Sequence, residues 1–282
     1  MDKELSSSLR DYTRAAGGGL VIGMPLLYTM EVWFQGFLLP WWKLLLLLGV
    51  GFVIVLGYNS VAGFRRERTH LELVVDSIST IGLGIVVAFV ALLFLGRIDA
   101  ETSIRDAAGK VALEAIPVAF GASVAVTQLS GEQASTGERR AATAFGRLFV
   151  GAGGALLFAL NVAPTEEIVI LGTSAEPWLL LLVIAATLAL TMALVFYADF
   201  GGRRRTHRDE LLDRPLSETV SSYAVSIGVA LLLLWSFGRT EGASVSAIAG
   251  MTVMLGAVGS VGAAIARLLI GGEHEAAGEG GA

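Results

Sequence analysis

Cysteine is absent from this sequence and histidine is scarce. The 282 residues include no cysteine and three histidines, His70, His207 and His274, which all lie in polar segments. Disulfides, thiolate catalysis and cysteine-ligated metals are therefore excluded. A haem or zinc site inside a membrane would need imidazoles that the apolar segments do not contain. We therefore predict no cofactor, and the sequence assigns no metal.

Charged residues are also few. They make up 16% of the chain, against 54% hydrophobic residues and a mean hydropathy of +0.70, whereas a soluble domain carries about 25% charged residues. This balance indicates a membrane protein. The formal net charge of −5 gives no reason to expect a nucleic-acid partner. The N-terminal residues lack the pattern of a cleaved signal peptide, so the first apolar run is expected to remain as a span.

Long apolar runs are abundant, and about 20 such residues suffice to cross a bilayer as a helix. The sequence predicts an all-α integral membrane protein with eight transmembrane helices. Their expected bounds are 17–39, 41–63, 72–95, 110–130, 142–163, 177–199, 216–238 and 243–270.

Loop charge predicts the orientation of these spans. Of the Lys and Arg residues, 15 fall on one side and 5 on the other, and the richer side is cytoplasmic. Both termini are then cytoplasmic in a multi-pass protein. The excess of arginine over lysine indicates a bacterial source, hence the cytoplasmic (inner) membrane. Basic loop residues are also expected to contact lipid head groups, namely Arg65, Arg66, Arg203, Arg204 and Arg205.

Four sequence matches recur in the same order and indicate an internal repeat. Gapless alignment of 76–97 on 218–239 gives seven identities. The other matches are "PLLYTMEVW" (25–33) with "ALLFALNVA" (155–163), "PWWKLLLLL" (40–48) with "PWLLLLVIA" (177–185), and "RTH" at 68–70 and 205–207.

The repeat predicts two parallel four-helix halves, 17–130 and 142–270, related by an axis along the membrane normal. The remaining segments are a cytoplasmic N-terminal segment (1–16), a cytoplasmic linker (131–141) and a Gly-rich, acidic C-terminal tail (271–282) that we expect to be disordered. Span 8 carries Gly256, Gly259 and Gly262, and small residues let helices approach closely. This span could therefore pack inside the bundle or form a homo-oligomer interface.

Carboxylates inside the apolar runs are the candidate functional groups, because such residues usually face a cavity or a partner. Glu31 lies deepest in its span, and Tyr28 and Gln35 at i−3 and i+4 share its predicted helix face. Its partner in the sequence repeat is Asn161. Glu114 lies about one turn into span 4, where an acid could instead stabilise the helix N-terminus.

Asp76 and Glu218 are equivalent in the repeat, each near the cytoplasmic start of its span. Hydroxyls follow both residues: Ser79 and Thr80 in "DSIST", Ser221 and Ser222 in "ETVSS". Oxygen-rich clusters suit hard cations and protons, so the two carboxylates could form one site across the predicted axis. Helix capping is the alternative explanation for each of them.

The segment "GMPLLYTMEVWFQG" (23–36), together with eight spans and "GFRRER" after span 2, resembles a family of bacterial integral membrane proteins of unknown function. The resemblance covers the whole span region and implies no activity. The sequence contains no Walker loop, GxSxG, HExxH or dinucleotide motif.

From the residues themselves we predict a cation channel or proton-coupled cation transporter, with the bilayer and a cation or proton as partners. Two alternatives stay open. One is a non-transporting membrane sensor or accessory subunit, and the other is an intramembrane enzyme acting on lipid. We do not expect an enzyme, because the membrane region lacks a histidine or cysteine nucleophile–base pair.

Overall fold

Helices account for all regular structure in the described part of the chain. The computed structural model describes residues 2–62, 70–129, 144–200 and 215–271. Residue contacts divide the chain into two units, 1–136 and 137–282, and each unit is described by itself. The all-α prediction is confirmed for the described residues.

In the first unit, the last helix packs against each of the other four. Almost every residue of that helix from Val111 to Val124 is buried, whereas the outer helices expose apolar side chains such as Val86 and Phe89, as expected where lipid is the solvent. The five helices are α1 (Asp2–Leu27), α2 (Met30–Leu38), α3 (Trp41–Ala62), α4 (His70–Phe94) and α5 (Ile104–Leu129).

The second unit contains helices in the same order, and again the last helix contacts all of the others. They are α6 (Ala144–Val162), α7 (Glu166–Ser174), α8 (Pro177–Phe200), α9 (Pro215–Ser236) and α10 (Val245–Gly271). In α10, Gly256 meets Ile227, Gly259 meets Ser226 and Gly262 meets Gly154. These glycines therefore pack within their own unit.

Two helices are sharply broken. The chain bends by 83° between α1 and α2, and by 94° between α6 and α7. Six helices are long and apolar enough to cross a membrane, or eight if each bent pair counts as one span. The predicted span 17–39 was therefore wrong as a continuous helix. Helix α7 lies where the sequence predicted an outer loop, and α1 runs through residue 16 without a boundary.

In each unit a pair of glycines lets a short helix approach the last, central helix closely. The short helices are α2 and α7, and the central helices are α5 and α10. A Cβ on Gly109 would lie 1.8 Å from the Gly36 carbonyl oxygen, and a Cβ on Gly250 would lie 2.0 Å from the Gly172 carbonyl oxygen. Neither position can carry a side chain unless the backbones separate. Close backbone approach at glycine is a common packing mode of membrane helices.

Substituting Gly109 with alanine is therefore expected to separate α2 from α5. Because the clash is with backbone, it cannot be relieved by a side-chain rotation, and overpacking of this kind costs about 1–3 kcal/mol. A lower midpoint of thermal unfolding in detergent is the measurement. Gly49→Ala is the matched control, since nothing lies within 4 Å of its added Cβ. Equal stability of the two variants would contradict the contact.

Helices α4 and α9, which precede α5 and α10, are followed by the same type of turn. Gly96 and Gly238 have φ of 64° and 73°, the left-handed conformation that closes many helix C-termini. The next amide bonds back into the helix in each unit, Arg97 N–H to the Leu92 carbonyl and Arg239 N–H to the Leu234 carbonyl, both at 2.8 Å. These turns place the two arginine side chains beside the short helices.

Candidate functional site

Glu114 is a fully buried carboxyl group at the centre of the first unit. Its side chain has 0% exposure, and neither carboxyl oxygen has a hydrogen-bond partner in the described part of the chain. Helix α5 begins at Ile104, so Glu114 lies in the third turn. The helix N-terminus therefore does not explain this acid, because that effect falls off within the first turn.

Apart from Lys110 at i−4, the face of α5 that carries Glu114 is apolar near this residue. Val111 and Val118, at i−3 and i+4, belong to a buried cluster with Leu27 of α1 and with Ala88 and Leu92 of α4. Residues at this spacing share one helix face. A lone carboxyl in such surroundings carries a proton or faces a cation, because an isolated carboxylate is costly there.

The break between α1 and α2 lies against the same stretch of α5. On one side of the break, Gly23 contacts Val118, and on the other side Gly36 contacts Gly109. The chain from 23 to 36 therefore passes over the α5 residues between 109 and 118, which include Glu114.

The local sequence accounts for the break. Pro25 cannot donate a backbone hydrogen bond to the preceding turn, and the Thr29 hydroxyl donates to the Pro25 carbonyl at 2.6 Å. Thr29 itself has an extended backbone (φ −89°, ψ 107°). Helix α2 then starts in a new direction at Met30.

Trp33 carries another buried polar atom of this region, its indole nitrogen, that has no hydrogen bond within the described part of the chain. Its ring packs against the apolar cluster, and its indole N–H is buried without a hydrogen bond. The Arg97 guanidinium lies over the ring at 5.0 Å from its centroid, and the Lys110 ammonium donates to the Arg97 carbonyl at 2.7 Å. We define Glu114, Trp33 and the α1–α2 break as the break site. Sequence reasoning named Glu114 but missed Trp33.

The structure changes the setting of Glu31 and its predicted neighbours. Glu31 lies in the first turn of α2 and is half-buried, whereas Tyr28 lies in the break and is 69% exposed. Tyr28 and Glu31 therefore do not share a helix face, because no continuous helix joins them. Gln35 remains one turn from Glu31 in α2.

Asn161, the repeat partner that the sequence predicts for Glu31, lies in a different element. Its side-chain amide donates to the Leu157 carbonyl of α6 at 2.8 Å, while Glu31 lies in α2. Gly36 and Gly172 make similar glycine contacts within their own units, at an offset of 136 (172 − 36). That offset aligns Glu31 with Glu167, in the first turn of α7, whereas the sequence match aligns it with Asn161. The repeat itself stays a prediction.

Asp76 lies six residues into α4, which begins at His70, so a terminal cap is not its explanation. The hydroxyls that follow it bond to backbone carbonyls of their own helix: Ser79 to Val75 and Thr80 to Asp76, both at 2.8 Å. The buried hydroxyl of this stretch is Ser77, which accepts a hydrogen bond from the Asn59 amide at 3.2 Å. The Asn59–Ser77 bond links α3 to α4, whereas the Ser79 and Thr80 bonds lie within α4.

Glu218 has a partner that sequence reasoning missed. The Arg267 guanidinium of α10 lies 3.3 Å from its carboxylate, with both side chains about one-tenth exposed. Arg267 also donates to the Arg147 carbonyl of α6 at 3.1 Å. The hydroxyls of Ser221 and Ser222 bond to the Glu218 carbonyl at 2.9 and 2.8 Å. In the second unit the Arg267 guanidinium therefore joins α10 to both α9 and α6. A single arginine near the end of the last predicted span was the available signal.

The position that corresponds to Glu114 in the second unit is apolar. The glycine contacts pair Gly109 with Gly250, an offset of 141 (250 − 109), which aligns Glu114 with Leu255. Both side chains are fully buried. A leucine therefore fills the same place in the central helix of the other unit, and packing alone does not require a carboxyl there.

Several predicted features lie outside the described residues. These are the head-group arginines Arg65, Arg66, Arg203, Arg204 and Arg205, the linker 131–141, and the tail beyond Gly271.

Among the residues that the structure describes, no group of three or more His, Cys, Asp or Glu side chains could hold a metal ion.

Comparison with known proteins identifies the family of this chain. The family model described as "Putative integral membrane protein (DUF2391)", a domain of unknown function, matches residues 11–270. The chain belongs to this family, which confirms the resemblance seen in the sequence. Neither the curated proteins nor the solved structures gave a match.

Proposed function

We propose that this member of an integral membrane protein family is a proton-coupled cation transporter of the bacterial cytoplasmic membrane, and not an enzyme. Glu114 is the proposed proton or cation carrier. The observation that supports the proposal most is that this carboxyl is fully buried and has no hydrogen-bond partner among the residues that the structure describes. Ionisable residues within a membrane protein that are retained despite their cost commonly mark ion pathways and proton relays.

Complete burial favours a transporter over a channel. In an open pore the site would be in contact with water on at least one side. A carboxyl with 0% exposure must instead be reached by a conformational change, which is the behaviour of alternating access. The break site supplies a non-helical joint beside Glu114 at which such a change could occur.

The proposed architecture is eight spans in two parallel repeats with cytoplasmic termini. Two observations support it. The units have the same helix order, and the matching glycine contacts and helix ends described above recur in both. Broken helices at the binding sites of transporters built from repeats offer an analogy at the level of the fold.

A second candidate function is a non-transporting proton sensor. The tight packing of α5, in which the residues around Glu114 are all buried except Ala112, favours it, because a sensor needs no path through the protein. In that case protonation of Glu114 would change the packing of the first unit without net flux.

Ion flux in proteoliposomes distinguishes these two functions. With an imposed pH gradient and a trapped pH indicator, we expect cation-dependent proton movement for the unaltered protein and background rates for Glu114→Gln. Glu31→Gln is the matched control, since it removes a half-buried carboxyl from the same unit, and we expect it to retain most of the flux. Asp76→Asn tests the other predicted carboxylate of that unit.

Absence of any proton or cation movement by the unaltered protein would contradict transport and favour the sensor. Full flux in the Glu114→Gln variant would remove Glu114 from the proposed path. Loss of flux in Glu31→Gln alone would move the site to α2.

A further inference from the structure

We infer that the ionised Glu114 carboxylate accepts a hydrogen bond from the Trp33 indole N–H, so that proton release from α5 draws α2 towards it. This inference deepens the proposed function and rests on it for the role of Glu114. It assigns Trp33 as the positioning residue that converts a change in protonation into a movement of the short helix.

The starting point is that the two groups complement each other. Glu114 offers acceptor oxygens and Trp33 offers a donor, and both are buried without a partner in the described part of the first unit. Buried polar groups in native structures are nearly always hydrogen-bonded, and exceptions call for an explanation. One hydrogen bond between the pair would satisfy both groups at once.

The two groups lie beside the same buried cluster. Trp33 packs against the cluster that contains Val111 and Val118, the residues that flank Glu114 on its own helix face. The two groups therefore border the same buried region, although they are not within hydrogen-bond distance in this structure.

The first unit also contains the joint that the movement needs. Tyr28 and Thr29 separate α1 from α2, and the chain turns there by 83°. The Gly36–Gly109 contact fixes the far half of α2 against α5. A pivot of the near half, which carries Trp33, would bring the indole towards α5 and away from the Arg97 guanidinium that now covers its ring.

Lys110 is the competing donor, because it lies one turn before Glu114 on α5. Its ammonium already donates to the Arg97 carbonyl at 2.7 Å, so a shift to Glu114 would break an existing bond. The Trp33 N–H loses nothing by pairing. The other charged side chains that the structure describes on α5 and on the helices packed against it do not hydrogen-bond to Glu114; they are Arg10 and Arg14 on α1, Glu31 on α2, Lys43 on α3, Glu72 and Asp76 on α4, and Arg105 and Asp106 on α5.

The test follows the indole proton directly by nuclear magnetic resonance of the full chain with ¹⁵N-labelled tryptophan in nanodiscs. Trp33→Phe assigns the Trp33 signal and keeps an aromatic ring beneath Arg97. As pH rises we expect a downfield shift of the Trp33 indole proton that follows a one-site titration curve. The shift should be lost in Glu114→Gln and retained in the control Trp42→Phe, which alters an exposed tryptophan.

Each outcome decides for or against the inference. An indole signal that does not move with pH, or that moves equally in Glu114→Gln, would overturn it. So would a signal that first responds to pH when Lys110 is replaced with methionine, because Lys110 would then be the native donor. The readout does not require flux, so a Trp33 shift in a protein without transport would support the inference while contradicting the proposed function.

Discussion

Replacing Glu114 with leucine is expected to abolish transport and to stabilise the protein. The variant removes the proposed carrier, so proton-coupled flux should fall to background. It also removes a buried polar group without a partner, which costs a folded protein about 1–3 kcal/mol. Leucine already occupies the corresponding buried position, Leu255, in the second unit. The measurements are flux in proteoliposomes and the free energy of unfolding in mixed micelles.

The reciprocal variant, Leu255→Glu, is the matched control. It places a lone carboxyl in the central helix of the second unit, so we expect lower stability and no gain of flux. Opposite signs of the stability change in the two variants would indicate that Glu114 is kept for function at a cost to folding. A Glu114→Leu protein that is less stable than the unaltered chain would instead indicate a structural role for the carboxyl.

Replacing Arg267 with leucine is expected to be among the most destabilising single changes in the second unit. The substitution leaves the buried Glu218 carboxylate without its partner and also removes the bond to the Arg147 carbonyl. Breaking a buried ion pair from one side costs about 3–5 kcal/mol, because an uncompensated charge remains. Equilibrium unfolding in mixed micelles measures the loss.

The double variant Glu218→Gln with Arg267→Leu should recover much of that loss, because no lone charge is left behind. Glu166→Gln provides the comparison with an exposed pair: Glu166 is 73% exposed and lies 2.9 Å from Arg239, and such pairs contribute about 0–1 kcal/mol. If Arg267→Leu were as mild as Glu166→Gln, Glu218 would not depend on the pair, and the predicted proton site at Glu218 would regain support.

The Glu218–Arg267 ion pair also bears on Asp76, which the predicted repeat makes equivalent to Glu218. The 141-residue offset of the central helices places Val126 of α5 where α10 has Arg267 (267 − 141). At this offset the arginine that binds Glu218 corresponds to a valine in the sequence. Whether Asp76 and Glu218 form one site across the predicted axis stays a prediction.

Hydropathy and charge in the sequence were sufficient for the membrane class and for most helix bounds. Helices α3, α4, α8, α9 and α10 lie within a few residues of the predicted spans. Their apolar runs are long enough to cross a bilayer as helices, which satisfy every backbone polar group within the segment. Glu114 could also be identified from the sequence, because a single charged residue in an apolar run stands out without any knowledge of its contacts.

The tertiary structure decided what those residues do. Pro25 favours a break near Tyr28 and Thr29, but the direction of α2 after the break depends on how α1 and α2 pack on α5. The sequence alone does not show whether a guanidinium lies next to a given carboxylate. Contacts between helices distant in the chain pair Glu218 with Arg267 and leave Glu114 alone beside Trp33. Hydropathy is a property of each segment, whereas burial and pairing depend on which segments meet.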